Sequence, residues 1–212
     1  MPAPLTIYLA RHGDVHNPEA LLYGRLPNYY LSELGRNQAK SAGEYLAQQN
    51  LSAIYSSPME RAQETAGIIM NQRENPLPVT VDERLIEVYS PYDGTPQSEL
   101  DKINFDLYTD TSEEYEKPHH LRHRLLDFLN DMRRQHANQT IAAVSHGDIV
   151  VSAFMFVKGQ DANDIGRTKT QANRIHTLGL PEVYPATASV STLTYQTDDP
   201  DEVPSYRYHR PY

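Results

Sequence analysis

Two His-Gly pairs, each at the end of a short apolar run, constrain this chain most. Leu5-Thr6-Ile7-Tyr8-Leu9-Ala10 leads into Arg11-His12-Gly13, and Ile141-Ala142-Ala143-Val144 leads into Ser145-His146-Gly147. Short apolar runs bounded by glycine read as buried strands. In an open α/β sheet ligands bind beyond the carboxyl ends of the strands, so neighbouring strands would bring His12 and His146 together although they lie far apart in the chain. The arginine beside His12 makes an anion the expected ligand.

The intervening segments supply the rest of such a fold. Ser32 precedes a helical pattern with Leu34, Ala42 and Leu46 on one apolar face, interrupted at Asn50, and residues 51–55 read as a second strand. Ser57-Pro58-Met59-Glu60 has the form of a capping box with proline at the first helical position, which predicts a helix from there to about Asn71. Arg61 then falls in its first turn, near the positive pole of the helix dipole. Residues 78–85 read as an edge strand that delivers Glu87. From 88 to 118 the chain is irregular. Leu121, Leu125, Phe128, Leu129 and Met132 share one face of an amphipathic helix leading to a strand at 140–145, and another helix starts near Asp148. Residues 174–178 and 188–195 read as further strands, and 198–212 as a polar tail. The alternation predicts an α/β fold, a three-layer α/β/α sandwich with a mostly parallel central sheet, in a single domain over 1–212.

Composition narrows the classes of function. The 212 residues suffice for one large α/β domain. No stretch approaches the roughly 20 apolar residues of a membrane helix. Met1-Pro2-Ala3-Pro4 lacks the basic start and apolar core of a signal peptide, so a cytoplasmic location is the default expectation. Cysteine is absent, which excludes disulfides, thiolate metal sites and a cysteine nucleophile. A net charge of −9 with no basic run disfavours binding to nucleic acid or to acidic membranes, and an anionic substrate would need a local positive pocket. The fifteen tyrosines, including Tyr206-Arg207-Tyr208, read as packing or interface residues, compatible with a homodimer, rather than as a base-stacking platform. His119, His120 and His123 form a cluster with 119 and 123 on one helical face. No carboxylate or cysteine completes a diagnostic zinc spacing, so a solvated helix start is the preferred reading.

Placed on this framework, five segments follow one another in a particular order. They are Leu9-Ala10-Arg11-His12-Gly13, then Tyr23-Gly24-Arg25 with Leu31-Ser32-Glu33-Leu34-Gly35, then Ser56-Ser57-Pro58-Met59-Glu60-Arg61-Ala62-Gln63-Glu64-Thr65-Ala66, Leu85-Ile86-Glu87 and Ser145-His146-Gly147. The chain resembles the histidine phosphatase superfamily in its phosphoglycerate-mutase-like branch. The acid-phosphatase and phytase branch normally has a basic residue two positions after the glycine, where this chain has Val15. The resemblance implies His12 as nucleophile and a phosphohistidine intermediate. It implies Arg11, Arg61 and His146 as ligands of the phosphoryl oxygens, with Gly13, Gly24 and Gly147 allowing close backbone approach. It also implies Glu87 as general acid and then base, and no metal or other cofactor. Glu83, Asp82 and Asp93 are nearby competitors for the Glu87 role. Relatives often place an asparagine seven residues after the motif arginine; Asn17 stands six after Arg11, behind His16, and is a phosphate ligand only if the loop is shortened.

The superfamily contains phosphatases and phosphoglycerate mutases that share the first phosphoryl transfer. A mutase must retain a bisphosphorylated intermediate. Residues 88–118, the expected cap over the substrate, hold only Lys102 and Lys117 against eight carboxylates, Asp93, Glu99, Asp101, Asp106, Asp110, Glu113, Glu114 and Glu116. That balance favours a phosphomonoesterase acting on a small phosphorylated metabolite over a mutase. A noncatalytic phosphate-binding protein on the same scaffold is the third reading, and the complete set of His12, Arg11, Arg61, Glu87 and His146 argues against it. Tyr23, Tyr29, Tyr30, Tyr89 and Tyr92 are candidates for an aromatic wall.

Overall fold

Residues 4–212 are described by a computed structural model; Met1, Pro2 and Ala3, which carry most of the leader reading, lie outside the described residues. The two apolar runs are adjacent strands. β1 (Leu5–Arg11) pairs in parallel with β4 (Gln139–Ser145), with Arg11 opposite Ser145. β2 (Ala53–Ser56) lies in parallel on the other side of β4, and β3 (Val79–Val81) lies parallel to β2 at the edge. Beyond β1 the sheet turns antiparallel through β5 (Val190–Tyr195) and β6 (Ser205–His209), giving the order β3-β2-β4-β1-β5-β6.

The central strands are apolar throughout because both faces are covered. Leu5, Ile7 and Leu9 face a core shared with α4 (Pro118–Gln135) and α5 (Gly147–Val157). Tyr8 and Ala10 face a second core shared with α1 (Glu33–Ala47) and α2 (Glu60–Met70). The expected three layers are therefore present. After β1 the chain crosses to β2 on one side, and after β4 it crosses to β5 on the other. The gap between the carboxyl ends of β1 and β4 is thus a topological switch point, the place where this class of sheet opens a crevice.

Several elements differ from the sequence reading. α2 begins at Glu60 with Met59 at its cap and no side-chain cap; the Ser57 hydroxyl accepts from the Met59 amide at 3.2 Å and lies against His146. On α1 the buried stripe runs through Gly35, Ala39, Ala42 and Leu46, which leaves Leu34 one position off the face and 58% exposed. β3 ends at Val81, and Glu87 is delivered by a one-turn 3-10 helix, Glu83–Leu85, capped by Asp82. Residues 174–178, read as a strand, belong to α6 (Lys169–Thr177), which starts in a capping box between Thr168 and Gln171 and buries Ile175. The polar tail is folded from Ser205 onward: Tyr206 and Tyr208 lie on one side of β6, and the Tyr206 hydroxyl bonds Ser191 at 2.7 Å. The cap segment 88–118 contains one short helix, α3 (Gln97–Lys102). No helix among the described residues is long and apolar enough to cross a membrane.

The loop after β1 is clamped to the start of α1. Ser32 caps α1 by accepting from the Gly35 amide at 3.0 Å, and its own amide donates to the Asp14 carbonyl at 2.9 Å. A Cβ on Gly35 would lie 2.0 Å from the Asp14 carbonyl oxygen, and one on Gly13 would lie 2.4 Å from that of Gly35. Two backbones meet here with no room for a side chain. Gly35→Ala is expected to cost about 1–3 kcal/mol of stability, read as a lower denaturant midpoint at unchanged slope.

Candidate active site

The site assembles at the switch point from the ends of β1 and β4, the start of α2 and the turn after β3. His12 continues β1, with its amide donating to the Ser145 carbonyl at 3.0 Å and its carbonyl accepting from Ala188 at 2.9 Å. Its ring is buried, and Nδ1 lies 2.7 Å from the Gly13 carbonyl. A carbonyl only accepts, so Nδ1 carries the proton and Nε2 presents its lone pair. The Gly13 amide donates to Thr65 Oγ1 at 3.1 Å, and that hydroxyl donates to the Arg61 carbonyl one turn back on α2 at 2.7 Å.

His146 stands at the cap of α5, its ring centroid 5.3 Å from that of His12. Nε2 lies 2.7 Å from Ser57 Oγ, and Nδ1 lies 3.2 Å from Arg61 Nη2. A guanidinium only donates, which places the proton on Nε2. Ser57 can serve either tautomer: as acceptor it holds Nε2–H, and as donor it lets Nδ1 carry a proton into the site. Burial, followed by the charge of Arg61, pushes both imidazoles well below their ordinary value; Arg11 adds to this at His12, and His12 itself adds to it at His146. Both rings are neutral near neutral pH.

Arg61 is fully buried. Its Nη2 donates to the Gly24 carbonyl at 2.7 Å and lies 3.9 Å from Glu87 Oε2, while Nε and Nη1 have no hydrogen-bond partner. Arg11 donates through Nη1 to the Pro185 carbonyl at 2.6 Å, and its buried Nε is likewise unpartnered. A buried charged donor left unpaired costs roughly 1–3 kcal/mol or more. Three such donors lie on the two arginines whose charges act on the His12 imidazole, an arrangement that can bind an anion. Tyr23 lies beneath Arg61 at 4.8 Å, meets His12 edge-on at 6.2 Å, and stacks on Tyr29 at 5.3 Å. Gly24 supplies the carbonyl for Arg61. It must be glycine twice over: its φ is +38°, and a Cβ would lie 1.8 Å from Asp93 Oδ1.

Glu87 is buried, with Oε1 accepting from the Val88 amide at 3.0 Å. Its Oε2 faces Arg61 Nη2, His146 Nδ1 at 3.7 Å and Arg167 Nη2 at 3.7 Å. Burial raises its carboxyl above the usual carboxylate range; Arg167 and Arg61 oppose this, and Asp148 reinforces it. Among the competitors, Asp82 is tied to Arg84 and Asp93 Oδ2 accepts from the Arg25 amide at 2.8 Å.

The remaining expectations divide. Both ends of the Asn17 amide close its own loop, Nδ2 donating to the Leu21 carbonyl at 2.8 Å and Oδ1 accepting from the Leu21 amide at 3.1 Å. Gly147 opens α5, where a Cβ would fall 2.2 Å from the Tyr184 hydroxyl, so its small size serves packing on Tyr184. Tyr89 packs on Tyr115 at 5.1 Å under Arg25, and Tyr30 is exposed. His119, His120 and His123 are exposed on α4, and His123 pairs with Asp127. Among the described residues no cluster of histidine and carboxylate is arranged to hold a metal ion. The sequence reading missed Arg167, Asp148, Tyr184, Ser57 and Thr65. Ser57 and Thr65 stood inside the Arg61 motif; the others carry no local signal.

This geometry meets a clear likeness to known proteins. Residues 7–201 match the histidine phosphatase superfamily, branch 1. The chain belongs to that superfamily. It is 42% identical over 94 residues to Uncharacterized protein Rv0525 of Mycobacterium tuberculosis, covering 44% of this chain and 46% of that protein, so the match spans less than half of that relative. It is 31% identical over 155 residues to Phosphoserine phosphatase 1 of Hydrogenobacter thermophilus, covering 66% of this chain and 70% of that one. In fold it is similar to the mycobacterial glucosyl-3-phosphoglycerate phosphatase, with a TM-score of 0.72 and 21% identity over 99% of this chain and 98% of that one. The expected superfamily, branch and sandwich fold are those found.

The unpartnered guanidinium donors make a binding prediction. Inorganic phosphate is expected to raise the thermal midpoint of the native protein in proportion to RT ln(1 + [L]/Kd). Arg61→Met is expected to lose that increment in differential scanning fluorimetry.

Proposed function

We propose that this protein is a metal-independent phosphomonoesterase that passes the phosphoryl group of a small phosphorylated metabolite through His12 to water. The observation that carries the reading is the buried His12, its Nδ1 held by the Gly13 carbonyl and its Nε2 left as the lone pair, under the charge of Arg11 and Arg61, which keep three N–H donors unpartnered. A neutral imidazole attacks phosphorus in line as the ester P–O bond breaks. The two guanidiniums bind the non-bridging oxygens, in a fork geometry suited to phosphoryl groups. His146, with Nε2–H held by Ser57 and Nδ1 accepting from Arg61, stands beside the guanidinium as the third group of the phosphoryl site. Glu87, whose carboxyl burial pushes toward the protonated form, gives its proton to the leaving oxygen. In the second half the Glu87 carboxylate takes a proton from water, water oxygen bonds to phosphorus, and the N–P electron pair returns to His12.

The acidic cap supports release to water over retention of a bisphosphate. Glu116 is neutralised by Arg25 and Arg124 and Glu99 pairs with Lys102, but among the described residues Asp101, Asp106, Asp110, Glu113 and Glu114 form no ion pair. The test is hydrolysis of p-nitrophenyl phosphate with excess chelator, with acid-quench capture of a phosphorylated chain. His12→Ala is expected to abolish turnover and labelling while circular dichroism stays unchanged; wild-type turnover in that variant sinks the reading. Arg11→Ala and Arg61→Ala are each expected to lose about 2–4 kcal/mol of transition-state stabilisation. Bisphosphoglycerate-dependent interconversion of 3- and 2-phosphoglycerate exceeding hydrolysis would instead make the protein a mutase with the same nucleophile.

The shifted ionisations set the pH dependence. Activity is lost in acid only as His12 is protonated, and its value lies well below 6.5, so the acid limb of kcat/KM falls well under pH 6.5. Activity is lost on the alkaline side as Glu87 ionises, and its raised value places that limb above the ordinary carboxyl value of about 4.3. Glu87→Gln is expected to remove the alkaline limb and to slow poor leaving groups most.

A further inference from the structure

Glu87 follows the 3-10 turn Glu83–Leu85 and lies outside every strand and helix, so no ladder of backbone bonds fixes it. Side chains from distant segments hold its turn instead. The Leu85 carbonyl accepts from Ser145 Oγ at 2.7 Å, and the Arg84 carbonyl accepts from Arg124 Nη1 at 2.5 Å. The carbonyl of Glu87 itself accepts from Arg25 Nε at 2.7 Å. Glu116, from the cap, joins the two arginines. Its Oε1 accepts from Arg124 Nε at 2.5 Å, and its Oε2 accepts from Arg124 Nη2 at 3.1 Å, from Arg25 Nη2 at 3.2 Å and from the Tyr89 amide at 3.1 Å. The Glu116 amide donates to the Tyr89 carbonyl at 3.0 Å, and the side chain is only 12% exposed.

Arg25 has a second attachment, through its main chain. Its amide donates to Asp93 Oδ2 at 2.8 Å, and the residue before it, Gly24, gives its carbonyl to Arg61 Nη2 at 2.7 Å. One residue therefore grips the backbone of the general acid with its side chain and continues the loop that holds Arg61. A pair that served only to balance charge would need Glu116 and nothing more.

We propose that Arg25, locked in place by Glu116, is a positioning residue that sets the Glu87 carboxyl in register with Arg61, so that proton donation to the leaving oxygen depends on the cap. This assignment rests on the phosphatase reading above, in which Glu87 is the acid. Proton transfer needs heavy atoms about 2.6–3.2 Å apart, and a misplacement of about 1 Å costs on the order of a hundredfold in rate. Loss of the Arg25 guanidinium frees the carbonyl of the acid and leaves Glu116 facing Arg124 alone. A weakly basic leaving oxygen departs without a proton and tolerates that freedom, whereas a strongly basic one does not.

The test compares phenyl phosphate with p-nitrophenyl phosphate, which share a ring and differ in the basicity of the leaving oxygen, through the ratio of their kcat/KM values. Arg25→Gln and Glu116→Gln are each expected to slow phenyl phosphate about tenfold more than p-nitrophenyl phosphate, a part of what a general acid contributes. Arg25→Lys is expected to keep part of the wild-type ratio, since an ammonium still donates to the Glu87 carbonyl. In the Glu87→Gln background neither substitution is expected to move the ratio further, because no acid is left to position. Equal losses on the two esters overturn the proposal, and so does a further change of ratio in the Glu87→Gln background. Where Arg25→Gln does not fold, Glu116→Gln decides by the same ratio, and an unchanged ratio in it overturns the proposal. A ratio that moves in Glu87→Gln but in neither Arg25→Gln nor Glu116→Gln removes this inference alone. A Glu87→Gln ratio equal to that of the wild type removes Glu87 as the acid and this inference with it, and no hydrolysis of either ester by the wild-type protein removes the phosphatase reading as well.

Discussion

The buried guanidinium of Arg61 is the constraint around which the site is organised. A fully desolvated cation is tolerated only where its surroundings compensate it, and here each compensating group comes from a different part of the chain. Gly24 contributes a carbonyl from the loop before α1, His146 a ring nitrogen from the end of β4, and Glu87 a carboxyl from the turn after β3. Thr65, on the same helix as Arg61, carries the chain of contacts back to the amide of Gly13 beside His12. One side chain therefore fixes the relative positions of both histidines and the acid. Its Nε and Nη1 are left without a partner.

A net charge of −9 and a site for anions are reconciled by distance and burial. Surface carboxylates are screened by solvent within about 10 Å, whereas Arg11, Arg61 and Arg167 act in a region from which water is largely excluded. Asp148 shows how the protein keeps these cations in place. Burial alone would raise its carboxyl, but the charge and hydrogen bonds of Arg167, with those of Tyr184 and Tyr108, hold it below the usual range. The Tyr184 ring, fixed by this carboxylate, lies against both Arg167 and Arg11. Asp148 thus orders the outer side of the cleft as Arg61 orders its floor.

The parts of this arrangement legible in the sequence are those whose signal is local. The β1 and β4 runs are apolar because two faces are buried, and the α4 stripe from Leu121 to Met132 follows from helical spacing. Their ends carry the histidines, so locating the strands located the site. Reading failed where a residue had two possible partners or a pattern was short. Ser57 fits a helix cap by spacing, but its hydroxyl accepts from the Met59 amide, one residue short of the helix, and meets the buried His146 imidazole at 2.7 Å. Residues 174–178 carry too few apolar positions to separate period two from period 3.6, and the capping pair Thr168 and Gln171 decides for a helix. Tyr206-Arg207-Tyr208 alternates as a strand does, yet its acidic lead-in at 198–202 read as the start of a tail. Arg167 carries no local signal at all: its role depends on Asp148, which is close only after α5 and the following turn have folded.

The same dependence on tertiary contacts bears on how the two half-reactions share one acid. Glu87 Oε2 stands between the cations Arg61 and Arg167 and the neutral His146, with Asp148 behind Arg167. When a phosphoryl dianion occupies the arginines, it cancels the charges that favour the carboxylate, and the protonated acid required for the first step becomes the stable form. In the proposed reaction the phosphoryl dianion stays on the arginines after the alcohol leaves with the proton, while His12, phosphorylated on Nε2 and still protonated on Nδ1, becomes cationic, and that new charge favours the carboxylate needed to activate water. In this reading the phosphoryl transfer itself supplies the change in field that switches Glu87 between donor and acceptor.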